Sequence, residues 1–174
     1  GGAGNDNYFH WLFDVLPRLS ICENVIDLKK IDYFLLPNVE RNFQRETLDL
    51  LNIPNIKILS SKIYRHISTK ELFVTDHPYT LTNNADWDIQ NIPIWISVWL
   101  KEKYSDVKSS NNLNLPEKVF IDTKDSYASK NKLRLMKNEK EVANFLENEG
   151  FKIVKLENLN FKDQVKIFQN AKII

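Results

Sequence analysis

Asn138-Glu139-Lys140-Glu141-Val142-Ala143-Asn144-Phe145-Leu146-Glu147-Asn148-Glu149-Gly150-Phe151-Lys152-Ile153-Val154-Lys155-Leu156 holds a helix, its stop and a strand in one run. Asn138 and Glu141 stand three apart, the capping-box spacing in which each side chain bonds the other's backbone N–H. Val142, Phe145 and Leu146 recur at the spacing of one helical face, and Gly150 falls where a helix closes on a left-handed residue. Lys152 to Leu156 then reads as a strand. Outward from it, Lys118 to Asp122 is a preceding strand, Phe161 to Ala171 a following helix on Phe161, Val165, Phe168 and Ala171, and a third strand starts at Lys172. Strand, helix, strand, helix, strand at these lengths is the order of a parallel, Rossmann-like half.

Upstream, Ser105 to Leu115, with Ser109-Ser110-Asn111-Asn112, has the composition of a linker. It divides the chain into residues 1–108, a linker over 109–116, and 117–174. In the first part, Ile31 to Leu36 is a strand stopped by Pro37, Asn42 to Leu51 an amphipathic helix, and Ile56 to Leu59 and Leu72 to Thr75 two more strands. Trp95 and Trp99, with Ile94 and Val98, make a helical apolar face behind Pro93, expected to be core rather than a platform for sugars. Asp76-His77-Pro78-Tyr79 reads as a polar turn, the alternative being the wall of a ligand pocket at a strand's carboxyl end. The whole is an α/β layered pattern.

The opening stretch, Asn7-Tyr8-Phe9-His10-Trp11-Leu12-Phe13-Asp14-Val15-Leu16-Pro17-Arg18-Leu19, sets polar residues into a dense apolar run. At about 100° per residue, Asn7, His10, Asp14 and Arg18 fall within an arc of roughly 80°. A helix apolar over the rest of its surface is buried, so the polar stripe faces a cleft or a set of partners. His10 and Asp14 are i and i+4, as are Asp14 and Arg18, and each pair can touch. A carboxylate beside an imidazole fixes its tautomer, which suits a general base; a structural ion-pair bridge of His10, Asp14 and Arg18 explains the spacing equally well. Pro17 disturbs the turn behind it.

Composition narrows the classes. The 174 residues, 43% of them hydrophobic, are enough for a sizeable core. Lys plus Arg number 24 against 23 Asp plus Glu, a balance that argues against nucleic acid as a partner. One cysteine, Cys22, excludes an internal disulfide, and three scattered histidines give no zinc spacing, so no metal site is expected. Four glycines, three of them at the start, cannot build a dinucleotide fingerprint or P-loop. No apolar run approaches the ~20 residues of a membrane span; no membrane segment is expected, and the protein is placed in the cytoplasm or at the membrane periphery. The chain opens on Gly1 and stops at Ile173-Ile174, in the first residues of a strand, which suggests an internal fragment.

The loop Asp122-Thr123-Lys124-Asp125-Ser126 leaves the carboxyl end of a strand, the usual ligand edge of a parallel sheet. Lys124, Lys130, Lys132 and Arg134 bring positive charge to it. A diphosphate there would be held by cations and by the amides at the Asn138 helix start; the alternative is a solvated basic loop.

Residues 7–19 resemble the N-Y-x-H-W-L-F-D-V-L-P-R-L block of glycosyltransferase family 61, which includes capsular-polysaccharide-type transferases and eukaryotic protein O-linked N-acetylglucosamine and xylosyl transferases. Val119-Phe120-Ile121-Asp122, Arg134, Asn138-Glu139, Val142, Gly150-Phe151, Glu157, Gln164, Phe168 and Ala171 resemble that family's later block in the same order. The resemblance implies a GT-B-like arrangement of two Rossmann-like halves, the second truncated, with acceptor on the first half and nucleotide-sugar donor on the second. It implies transfer of a sugar to a glycan or protein hydroxyl, in polysaccharide biosynthesis, with no cofactor and no metal. His10 and Asp14 would be the catalytic base and its partner, Asn7 and Arg18 substrate contacts, and Lys124, Arg134 and Asn138 donor contacts. The family's arginine after the strand is Thr123 here, and its His-Gly-Ala-Gly loop is not in the sequence. These two departures define the alternative, a non-catalytic sugar- or nucleotide-binding remnant. A nicotinamide-dependent oxidoreductase is disfavoured by the missing fingerprint glycines.

Overall fold

The computed structural model describes residues 6–37, 39–82, 84–108, 115–122 and 136–174. The chain divides into two compact units, Gly1–Asp106 and Val107–Ile174, and each is built on one parallel β-α-β element.

In the first unit, β1 (Phe34–Leu36) pairs in parallel with β2 (Ile58–Ser60), Phe34 opposite Ile58 and Leu36 opposite Ser60. A helix must cross between parallel neighbours, and Asn42–Leu50 is that helix. It ends by a mechanism its sequence hides, since no glycine is present. Asn52 takes the left-handed conformation at φ 59°, and Ile53 N–H and Asn52 N–H bond back to Leu48 O and Asp49 O, both at 2.9 Å. Asparagine tolerates that conformation, and Ile53 is then buried, as is Leu48.

The opening stretch is helical and its apolar side forms the core, with Trp11, Leu16 and Pro17 fully buried. It is not one uninterrupted α-helix. Tyr8–His10 and Pro17–Glu23 are α-helical, but Trp11–Val15 is a π-helix, closed by Leu16 N–H on Trp11 O at 3.0 Å. Pro17 is the cause. In an α-helix its ring would collide with the carbonyl four residues back, and one extra residue in the turn makes room. Trp11 is anchored from the other side. Its Nε1–H donates to Thr47 Oγ1 at 2.8 Å, the Thr47 hydroxyl lies 2.7 Å from Phe43 O, and Thr47 O accepts from Tyr104 O–H at 3.2 Å.

Two expectations fail here. Leu72 to Thr75 is not a strand; Leu72 and Val74 are 76% and 80% exposed, without a ladder partner among the described residues. The helix behind Pro93, Ile94–Tyr104, buries Ile96, Trp99 and Tyr104, while Ile94 and Val98 stay exposed. A helix apolar nearly all round does not declare by spacing which side the core will take.

In the second unit, β3 (Val119–Ile121) pairs in parallel with β4 (Lys152–Val154). Lys118 and Asp122 bond toward β4, whereas Glu117 and Val119 bond to Lys172 and Ile173 on the opposite edge, through a single parallel bridge between Lys118 and Ile173 in place of the expected third strand. β3 is therefore bonded along both edges, by β4 on one and by the bridge on the other. Its Val119 packs with Val154 and Ile167. Helix Glu139–Asn148 closes at Gly150, φ 83°, with Phe151 N–H on Leu146 O, as the glycine predicted. The expected capping box is absent: Asn138 has φ −107° and ψ 29°, and its side chain caps nothing, because a capping side chain reaches the first turn from extended backbone. Phe145 is 63% exposed rather than core. Helix Phe161–Asn170 is capped by Asn160, whose Oδ1 accepts from Asp163 N–H at 2.9 Å.

Candidate active site

Asp14, on the π-helical turn of the first unit, collects the polar side chains around it. One carboxylate oxygen, Oδ2, lies 2.7 Å from His10 Nδ1. The other, Oδ1, accepts from Tyr79 O–H at 2.6 Å and lies 4.0 Å from His77 Nε2. A carboxylate only accepts, so His10 donates from Nδ1 and Nε2 is the ring nitrogen not engaged by Asp14. That ring is 45% exposed while Asp14 is 20% exposed, a half-buried carboxylate behind a more accessible imidazole.

The sequence explains each position. Asn7 is the N-cap of the opening helix, its Oδ1 accepting from Phe9 N–H at 2.9 Å and His10 N–H at 3.3 Å. It therefore fixes the His10 backbone and shows no contact with the imidazole. Phe9 and Phe13 stack at 4.9 Å on the same turn. Arg18 corrects an expectation. It makes no ion pair with the Asp14 carboxylate; its Nε donates to the Asp14 backbone carbonyl at 3.0 Å and its Nη1 to Thr75 O at 3.4 Å. The i, i+4 pairing assumed an uninterrupted α-helix; across the π turn the Arg18 side chain reaches the Asp14 backbone carbonyl instead of its carboxylate.

His77 and Tyr79 are the residues that spacing could not find, being more than sixty residues downstream. His77 Nδ1 donates to Tyr79 O at 2.8 Å, and the two rings meet edge to face at 4.5 Å. The segment is the expected polar turn, and it also faces Asp14. Burial, then the Asp14 hydrogen bond, pushes the Tyr79 phenol well above its ordinary range, so it remains a donor.

Beside Arg18 and Thr75 lies a cavity of about 1090 Å³, lined on its apolar side by Trp11, Leu16, Leu19, Phe34 and Phe73. Cys22 also lines it, and burial raises its thiol pKa. In the second unit, Asp122 ends β3 with its Oδ2 3.8 Å from Lys155 Nζ, and Asn138 heads the following helix. Lys124 and Arg134 lie outside the described residues. No helix among the described residues is long and apolar enough to cross a membrane.

Parallel β-α-β pairing in each unit and a histidine–carboxylate pair on the opening helix define an α/β protein. The family model Glycosyltransferase 61 matches residues 8–174, and the chain belongs to that family. No curated protein and no solved structure matches it.

Proposed function

We propose that the protein transfers a sugar from a nucleotide-sugar donor to a hydroxyl of a glycan or protein acceptor, in polysaccharide biosynthesis, with His10 as base. The observation that carries this reading is the 2.7 Å contact between His10 Nδ1 and Asp14 Oδ2 in a chain of the glycosyltransferase family. Nε2 takes the acceptor hydroxyl's proton as its oxygen bonds to the anomeric carbon. The bond from that carbon to the diphosphate breaks, and the nucleoside diphosphate leaves with the electron pair. Asp14 stabilises the imidazolium that forms. Arg18 acts by holding the backbone of Asp14.

The donor belongs on the second unit in this reading, at the carboxyl end of β3, with Lys124, Arg134 and the helix start at Asn138 meeting the diphosphate. Two Rossmann-like halves in a GT-B arrangement would bring donor and base together, in the cytoplasm or at the membrane periphery.

The test is release of nucleoside diphosphate from a panel of nucleotide sugars offered with glycan acceptors. His10→Ala should lower turnover at least ~100-fold, the ordinary contribution of a positioned base, with the unfolding temperature unchanged. Turnover that survives the substitution removes His10 as base. Absence of release from every donor, with nucleotide sugar still bound, would favour the binding-remnant reading that Thr123 motivates.

A further inference from the structure

Asp14 has two carboxylate oxygens, and the base reading uses only one. A carboxylate turns easily about its terminal torsion, which has broad, two-fold preferences. Held only by His10, it could present either oxygen, and the exposed imidazole would swing with it. Oδ1 is held from outside the helix by the Tyr79 phenol at 2.6 Å, a short bond of the charge-assisted kind. Tyr79 is itself braced, with its carbonyl accepting from His77 Nδ1–H at 2.8 Å and its ring set at 80° to the imidazole. His77 thereby turns Nε2 toward the same Oδ1. The two segments are 65 residues apart in sequence, so the bond is tertiary and owes nothing to helical spacing.

The geometry points to Tyr79 as a positioning residue, braced by His77, that locks the Asp14 carboxylate so that His10 keeps its proton on Nδ1 and its lone pair on Nε2. This deepens the reading of His10 as base and rests on it for its functional meaning. Tyr79 touches Asp14 and acts through it. Burial and the Asp14 hydrogen bond raise the phenol's pKa, so it stays a donor.

The test is read on the histidine nitrogens. Long-range ¹⁵N–¹H NMR of the ¹⁵N-labelled protein gives the tautomer of His10 directly, and the exchange of its Nδ1 proton with water gives the strength of the lock. In Tyr79→Phe, whose ring and packing are kept, the Nδ1 proton should exchange roughly tenfold faster, the scale set by one lost charge-assisted hydrogen bond, and the alternative tautomer should become visible. His77→Gln, which leaves the phenol in place, should give a smaller acceleration, roughly threefold.

A folded Tyr79→Phe with unchanged His10 tautomer and exchange overturns the assignment. Loss of stability with unchanged ring nitrogens also overturns it, leaving Tyr79 a structural role. Should Tyr79→Phe fail to fold, His77→Gln decides by the same readout. None of these outcomes depends on turnover, so failure of the transferase reading and failure of this one are distinguishable.

Discussion

At the scale of single residues, Thr47 does more for the site than its chemistry suggests. It is fully buried, accepts from the Trp11 indole on its hydroxyl and from the Tyr104 phenol on its carbonyl, and so fixes the turn on which Asp14 sits. Thr47→Val keeps the shape but orphans Trp11 Nε1–H, and an unsatisfied buried donor costs about 1–3 kcal/mol. Denaturant unfolding followed by tryptophan fluorescence should show that loss; an unchanged midpoint would mean the indole has another outlet. His10 and Asp14 were legible in the sequence because they lie one helical turn apart. Tyr79 and His77 were not, because a turn sequence states its own backbone needs and says nothing of what it will face. Arg18 touches Asp14 as the spacing allowed, but on the backbone carbonyl, so of the ion-pair bridge only the His10–Asp14 half is formed.

At the scale of elements, helix ends show how backbone chemistry writes itself into sequence. Gly150 could be read as a stop because glycine alone enters φ 83° without cost. Asn52 performs the same task at φ 59° and could not be read, since asparagine is ordinary in many other settings. An added Cβ at Gly150 meets nothing within 4 Å. Gly150→Ala therefore isolates the backbone term and should destabilise the second unit by about 1 kcal/mol, measured by chemical denaturation. A neutral result would mean that the helix end shifts to a right-handed closure. Strands were legible where they are paired and illegible where they are not: Leu72 to Thr75 has the residues of a strand, but pairing is a tertiary property. The exposed Phe145 carries the same lesson for a helix, because a stripe records which side is apolar and not how much of it will be covered.

At the scale of the whole molecule, the phenols among the described residues with raised pKa all lie in the first unit. Tyr8, Tyr79 and Tyr104 all belong to the first unit, and burial is the largest cause raising the pKa of each. Acidic neighbours add to it: Glu46 beside Tyr8, and Asp14, followed by Asp88, beside Tyr79. The sign follows from linkage. The unfolded phenol titrates near pH 10 and the folded one higher, so the folded state binds more protons above that pH. Stability from these groups is fully present below about pH 10 and is lost as pH rises through the folded values. The first unit should therefore unfold cooperatively in alkali, with tyrosinate absorbance and loss of helical circular dichroism rising together instead of the phenols titrating first. The Val119, Val154 and Ile167 core of the second unit contains no phenol. Amide signals of Val119 and Val154 should accordingly survive pH values at which those of Trp11 and Leu16 have gone. Simultaneous loss of both sets would show that the units unfold as one, while tyrosinate formation without loss of structure would show the phenols to be reachable by hydroxide in the folded chain.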